Sequence, residues 1–183
     1  MAGANLLSFA GKAPRIHPEA FVAAGARLIG DIEIGPDASV WYNCVLRGDV
    51  NRIRIGARTN IQDGTVLHVD SPRPDSPEGH PTLIGEEVLI GHLAMVHGCV
   101  LEDRAFVGLG SIVMDGCRIE SDAMLAAGAM LTPGKTIPSG QLWAGRPAKY
   151  VRDLTPADIA GMRAGVAHYV ELAKLHREAA EQR

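Results

Sequence analysis

Three histidines in the middle of the chain carry side chains that could bind a metal. His68, His92 and His97 are separated by 24 and 5 residues, and no cysteine or carboxylate at a ligand spacing completes the set. Three neutral imidazoles can hold a divalent ion and leave coordination positions open for water and substrate. A lone histidine is more often part of the core or surface, so the metal-site hypothesis depends on the elements that position these three.

A six-residue repeat of aliphatic residues predicts those elements. The repeat positions are Ile16, Val22, Leu28, Ile34, Val40 and Leu46, then Ile55, Ile61 and Leu67, then Ile84, Ile90 and Val96, and finally Leu101, Val107, Val113, Ile119, Leu125, Leu131 and Ile137. This pattern is typical of the hexapeptide repeat of a β-helix. Three hexads make one coil, the aliphatic residue points inward, and coils stack about 4.8 Å apart. An aromatic content of 4% fits such a slender core.

Two interruptions of the repeat fix how the coils align. Three extra residues fall near positions 49–52, and eleven fall in the Pro-, Asp- and Ser-rich stretch 70–80. The longer insertion is predicted to be a surface loop. Arg47, His68 and His97 then directly follow inward aliphatic residues on three successive coils. Since side chains alternate across a strand, these three are predicted to point outward in one stack.

His92 is predicted to lie apart from the other two histidines. It stacks with Asp63 on the preceding face, because each lies two residues past its inward aliphatic residue. One chain would not easily bring His92 across the corner of the prism to His68 and His97. A neighbouring subunit is therefore expected to supply the third ligand, which would make an oligomer necessary for the site.

The end of the chain changes to a helical pattern. The β-helix is assigned to residues 1–150 and a C-terminal amphipathic helix, packed along it, to residues 151–183. Thr155 is a predicted N-cap, followed by Pro156 at the first helical position and Asp158 in the first turn. Helical spacing is kept by Ile159, Met162, Val166, Tyr169, Val170 and Ala173.

Composition excludes several classes of function. A net charge of −3 and a pI near 6.1 give no electrostatic footprint for nucleic acid. The apolar stretch 6–10 is too short for a signal peptide or a membrane span. Cys44, Cys99 and Cys117 match no metal-ligand or redox spacing, so we interpret them as reduced core thiols of a cytoplasmic protein.

Taken together, these motifs resemble those of the γ-class carbonic anhydrase family. They are Arg47-Gly48-Asp49, Asn60-Ile61-Gln62-Asp63 and the three histidines, and the resemblance extends through Gly145-Arg146-Pro147-Ala148-Lys149 to the C-terminal helix. It implies an all-β fold, a left-handed parallel β-helix with a C-terminal α-helix, assembled as a homotrimer. The implied activity is reversible hydration of carbon dioxide to bicarbonate. The implied cofactor is zinc, and imidazole ligands also suit iron or cobalt.

The resemblance also implies roles for individual residues near the metal. His68 and His97 of one subunit would bind the ion together with His92 of its neighbour. Gln62 would hydrogen-bond a metal-bound hydroxide, and Asn60 would help to orient water or carbon dioxide.

Four further residues are implied with less direct roles. Arg47 would pair with Asp63 or with another subunit's acid across the interface, and Asp49 would belong to the same network. Holding the trimer together is the simplest role for these three. Tyr169 corresponds to a tyrosine that approaches the site from the C-terminal helix in close relatives, although its helical spacing also fits packing.

The sequence departs from the family prototype at two acidic positions. The prototype has a glutamate directly after Arg-Gly-Asp, where this chain has Val50, and another acidic residue shortly after the first metal histidine. Asp70 and Glu78 are near that second position without matching it. Because fast hydration requires export of a proton, slow or absent activity is one expected outcome.

Three alternatives to carbon dioxide hydration therefore stay open. A small acyl-CoA thioesterase could use the same site to attack an acyl carbonyl. A weakly active or non-catalytic metal-binding trimer would keep the fold without the rate. A hexapeptide acyltransferase shares the repeat, but such enzymes usually have a single catalytic histidine and no three-histidine set.

Overall fold

The computed structural model describes residues 5–181, which form twenty short strands and one helix. The strands are β1 (Asn5–Leu7), β2 (Arg15–Ile16), β3 (Phe21–Val22), β4 (Arg27–Ile34), β5 (Ser39–Val40), β6 (Val45–Ile55), β7 (Asn60–Ile61), β8 (Val66–His68), β9 (Thr82–Ile84), β10 (Leu89–Ile90), β11 (Met95–His97), β12 (Val100–Leu101), β13 (Phe106–Val107), β14 (Ile112–Val113), β15 (Arg118–Ile119), β16 (Met124–Leu125), β17 (Met130–Leu131), β18 (Thr136–Ile137), β19 (Gln141–Ala144) and β20 (Lys149–Asp153). Helix α1 spans Pro156–Glu181. Residues 1–4 and 182–183, the ends of the two predicted segments, lie outside this described part.

The strands stack into a β-helix with three faces. The first face is formed by β1, the first half of β4, the first half of β6, β8, β11, β14 and β17. The second face is formed by β2, the second halves of β4 and β6, β9, β12, β15 and β18. The third face contains β3, β5, β7, β10, β13, β16 and β19. Every pairing within these faces is parallel, which confirms the predicted parallel β-helix of hexapeptide repeats.

The predicted aliphatic residues fill the interior. Leu46, Leu67 and Val96 are aligned Cα partners on successive coils of the first face, and all three are fully buried. Burying such a side chain contributes about 1.5–3 kcal/mol relative to leaving it exposed. Of the repeat residues, Ile16 alone is half-buried, because β2 ends its face and no coil of residues 5–181 covers it. Alternation along each strand therefore sends the flanking side chains to the outside.

The three cysteines occupy a second repeated position. Cys44, Cys99 and Cys117 each lie two residues before an interior aliphatic residue, where most other coils have alanine, serine, threonine or a branched aliphatic residue. All three are free and buried, as predicted. Burial raises the pKa of the Cys44 thiol to about 11, so this thiol is protonated at neutral pH.

Both insertions lie beside the first face. The shorter one is absorbed into β6, which runs without a break around the corner between the first and second faces and exposes Val50. The longer one is a loop between β8 and β9, as predicted, closed by a bridge between Asp70 and His80. Asn51 Nδ2 joins the two by donating to the Asp70 and Glu78 carbonyls, at 3.1 and 2.8 Å.

The C-terminal segment differs from the prediction at its start. Residues 149–153 are strand β20, which pairs antiparallel with β19, so the segment assigned to 151–183 opens in a strand, and its helix begins at Pro156, the predicted first helical position. Thr155 caps it as predicted, because Thr155 Oγ1 accepts from the Asp158 amide at 3.1 Å and Asp158 Oδ2 accepts from the Thr155 amide at 2.8 Å. Reciprocal capping satisfies amides that the first turn leaves free.

Helix α1 lies along the third face. Its buried side chains, Met162, Val166, Val170 and Ala173, recur at helical spacing, and the helix contacts β3, β5, β7 and β10. Within residues 5–181, no helix combines the length and the apolar character that crossing a membrane requires.

Candidate metal centre

His68 and His97 lie one above the other on the outside of the first face. They end strands β8 and β11 and are direct partners in the register of that pair. His68 Nδ1 lies 2.9 Å from His97 Nε2. The side chains are only 17% and 31% exposed, so the two rings form a partly buried pair of nitrogen donors. The stack predicted from the repeat is confirmed.

His92 lies in the corner turn that follows β10, together with Asp63 from the coil before it. Asp63 Oδ2 is 2.9 Å from His92 Nδ1, which confirms the predicted stacking of these two residues. Tyr169 of helix α1 places its hydroxyl 3.4 Å from His92 Nε2. In the described chain, no group of three or more His, Cys, Asp or Glu side chains is arranged to hold a metal by itself. His92 is therefore separate from the His68–His97 pair.

A carboxylate contacts one ring nitrogen of each histidine. Asp49 Oδ1 lies 3.0 Å from His68 Nε2, Asp63 contacts His92 Nδ1, and an oxygen of Asp115 lies 2.5 Å from His97 Nδ1. A carboxylate accepts the proton of the nitrogen it faces and leaves the lone pair on the other one. Metal-binding histidines typically have such partners.

The positions of the ring protons indicate whether these residues can bind a metal. Because Asp49 and Asp115 hold protons on the far side of each ring, lone pairs remain on His68 Nδ1 and His97 Nε2, which face each other at 2.9 Å. Two lone pairs at that distance repel unless they share a cation. The donor set therefore fits a divalent ion that prefers imidazole nitrogen.

Burial favours the neutral form of His68. Burial lowers the pKa of His68, and the positive charge of Arg47 acts in the same direction, although the hydrogen bond with Asp49 opposes both. A neutral imidazole is the form that binds metal.

Asp49 is ionised in the same network. Partial burial raises its pKa, but hydrogen bonds from Arg47 and His68 outweigh this effect and hold the pKa below the ordinary value. Arg47 Nη1 lies 2.6 Å from Asp49 Oδ2, so within one chain Arg47 pairs with Asp49 and not with Asp63. Pairing of Arg47 across a subunit interface stays a prediction.

Asn60 and Gln62 form a buried amide pair on the third face, under helix α1. They are 1% and 5% exposed, and Gln62 Nε2 donates to Asn60 Oδ1 at 3.0 Å. Asn60 Nδ2 is buried and has no hydrogen-bond partner among residues 5–181. Leaving a buried donor unsatisfied costs about 1–3 kcal/mol, so its retention points to a ligand that accepts from it.

Known proteins with similar sequences include carbonic anhydrases. No protein-family model matches the chain. Carbonic anhydrase of Geobacillus kaustophilus is 40% identical over 175 residues, which cover 96% of this chain and 92% of that protein. Gamma carbonic anhydrase 2, mitochondrial, of Arabidopsis thaliana is 46% identical over 172 residues, 94% of this chain. The chain belongs to the γ-class carbonic anhydrase family. It spans 62% of the length of the Arabidopsis protein.

A solved structure supports the fold of this γ-class chain. The crystal structure of a hexapeptide transferase family protein from Anaplasma phagocytophilum is 46% identical, covers 95% of this chain and 98% of its own, and superposes with a TM-score of 0.87. The β-helix described above is therefore shared with a relative of similar length.

The acidic groups near the site of this γ-class chain are not placed to carry protons. The position after Asp49 is Val50, which is apolar and 43% exposed. Asp70 accepts hydrogen bonds from Arg73 at 2.6 Å and from His80 at 2.9 Å. His80 is the main cause of the lowered pKa of Asp70, with Arg73 adding to it. An acid held in this way is poorly suited to carry protons.

Sequence reasoning missed Asp115. It lies 18 residues after His97, in the corner turn that follows β14. The register of β11 and β14 pairs Val96 with Val113, so Met114 takes the position of His97 on the next coil and Asp115 lies one residue beyond it. The repeat alone therefore gave no signal for this contact.

Proposed function

We propose that this chain is a metal-dependent carbonic anhydrase that hydrates carbon dioxide reversibly at a site shared between subunits of a homotrimer. The observation that carries the proposal is the set of three carboxylate-held histidines, two of which face each other while the third lies around a corner. His68 and His97 of one subunit would hold the ion together with His92 of a neighbour. Zinc suits three imidazoles best, and iron or cobalt are compatible.

Exposed apolar residues beside the histidines support a shared site. Val45, Val66, Met95, Ile112 and Met130 form an outward ladder in register along the first face, in which Met95 is exposed and the other four are half-buried. Leu93 and Leu109, in the corner turns next to His92, are 73% and 59% exposed. A contiguous apolar surface of this kind on a monomer marks a protein interface. Packing this corner of one copy against the ladder of another would bring His92 to the His68–His97 pair.

The side chains of this chain have defined tasks in the reaction. When bound, a divalent ion at such a site acidifies water and supplies a nucleophile near neutral pH. The Asn60–Gln62 hydrogen bond uses Asn60 Oδ1 and Gln62 Nε2, which leaves Asn60 Nδ2 as a donor and Gln62 Oε1 as an acceptor. These two atoms would orient carbon dioxide and the attacking water. Tyr169, 3.4 Å from His92, closes the site on the helix side.

The test is a stopped-flow carbon dioxide hydration assay on anaerobically purified protein, with metal content measured on the same sample. We expect about one metal per subunit and hydration that a chelator abolishes. A metal-loaded trimer that hydrolyses acyl-CoA but does not hydrate carbon dioxide would replace the proposal with the thioesterase function.

A second candidate is a metal-binding trimer with weak or no catalysis. It is favoured by Val50 and by the hydrogen bonds that occupy Asp70, since neither residue can export the proton that hydration releases. Buffer distinguishes the two candidates. A slow enzyme limited by proton export is expected to accelerate with imidazole buffer concentration, whereas a non-catalytic trimer stays silent at every concentration.

A further inference from the structure

The Asp115 carboxylate determines which nitrogen of His97 is free. Asp115 Oδ1 lies 2.5 Å from His97 Nδ1, and His97 Nε2 faces His68 Nδ1 at 2.9 Å. Because a carboxylate only accepts, the proton of the neutral ring is on Nδ1 and the lone pair is on Nε2. The same contact restricts rotation of the ring. Both effects keep the Nε2 lone pair directed toward His68 Nδ1, where the metal would bind.

The backbone around Asp115 is shaped to allow this contact. Gly98 lies directly after His97 with φ of +49°, and a Cβ there would be 2.3 Å from Asp115 Oδ1 and 2.9 Å from the Cβ of His80. The Gly116 amide donates to the Gly98 carbonyl at 2.8 Å, which fixes one turn over the other. Only glycine leaves room for the carboxylate at this point.

Asp115 also differs from Asp49 and Asp63 in its position along the β-helix. Asp49 and Asp63 belong to the motifs that define the site, whereas Asp115 comes from the coil beyond it. The contact therefore connects the His68–His97 pair to the following part of the β-helix.

We propose that Asp115 is a positioning residue of the metal centre: it fixes the Nδ1–H tautomer of His97 and aims Nε2 at the ion. This inference rests on the metal site of the proposed function. Loss of such a partner typically lowers metal affinity about 10- to 100-fold.

The first experiment measures zinc affinity by competition with a chromophoric chelator. Asp115→Ala is expected to bind zinc about 10- to 100-fold more weakly than the wild type. Asp115→Asn should lose less, because its amide oxygen still accepts from His97. Gly98→Ala keeps Asp115 but displaces its carboxylate, so it should also bind zinc more weakly. Asp75→Asn, which removes a charge from an 80% exposed loop residue, is the matched control and should bind like the wild type.

The second experiment reads the His97 ring directly by nitrogen-15 NMR of metal-free protein. The wild type should show the Nδ1–H tautomer, and Asp115→Ala should shift the ring toward Nε2–H. Trimeric Asp115→Ala with wild-type zinc affinity and an unchanged tautomer would overturn the positioning role. Wild-type protein that binds no zinc would instead contradict the metal site itself, and so would overturn both proposals, whatever tautomer the variants show.

Discussion

At the scale of the residue, the buried amide of Asn60 is the most informative group. Its Oδ1 is used by Gln62, while its Nδ2 has no partner among the residues described. A donor kept dry without a partner is costly to folding unless a ligand compensates for it. We therefore predict that a ligand with an oxygen acceptor binds Asn60 Nδ2.

Replacing Asn60 should lower the rate without removing the metal. We expect Asn60→Ala to lose roughly 100-fold in kcat/KM for carbon dioxide, as when one oriented donor is removed from an active site. Metal content and trimer formation should be unchanged, since Asn60 is not among the histidines or their acids. Ser39→Ala is the control, because Ser39 is the register partner of Asn60 on the neighbouring coil. Equal losses in both variants would assign Asn60 a packing role.

At the scale of the element, helix α1 is tied to the third face by one charged cluster. Asp122 receives two hydrogen bonds from Arg104, at 2.9 and 3.0 Å, and lies 3.5 Å from Arg163 of the helix. These hydrogen bonds outweigh burial and lower the pKa of Asp122 below its ordinary value of 3.8. The helix carries Tyr169 to His92, so this cluster supports the site from a distance.

The Asp122 cluster should make stability depend on pH in a defined direction. A carboxyl whose folded-state pKa is depressed adds stability above its unfolded pKa and loses it as pH falls through the folded one. The wild type should therefore have a free energy of unfolding about 1 kcal/mol larger than that of the Asp122→Asn variant near pH 6. Below pH 3.8 this difference should shrink toward zero. Urea titrations at several pH values measure it, and Asp75→Asn should show no such trend.

At the scale of the whole molecule, we propose that assembly completes the site. One chain pairs His68 with His97 and leaves His92 around the corner, beside an exposed apolar surface. Symmetric oligomers present such complementary surfaces repeatedly, so one interface geometry would form every site.

Mixing inactive variants tests the shared site. His68→Ala and His92→Ala should each be inactive as pure trimers. After joint unfolding and reassembly, about one quarter of interfaces should combine an intact pair with an intact His92 and regain metal and activity. His68→Ala mixed with His97→Ala is the matched control and should regain nothing, because both ligands of the pair must come from one chain. Failure of the first mixture, with trimers intact, would contradict the shared site.

Much of this architecture could be predicted from the sequence, because the repeat is strictly local. A hexad needs only an inward aliphatic residue and a turn, so the period alone predicted the coils, the insertion loop 70–80 and the stack of His68 and His97. The helix start at Pro156 was also predicted, from its capping residues, but strand β20 was not. Strand β20 folds back on β19, and that pairing between separate segments leaves no periodic signal.

The sequence by itself determined the residue types of the site and the coil on which each lies. Only the tertiary structure decided which atoms meet: Arg47 with Asp49, Asp115 with His97, and Asn60 Nδ2 with no partner in the described chain. The physical reason is that the two kinds of information differ in precision. Periodicity fixes a side chain's face and height along the β-helix, whereas a hydrogen bond depends on a few tenths of an ångström set by side-chain rotamers and by glycines such as Gly98.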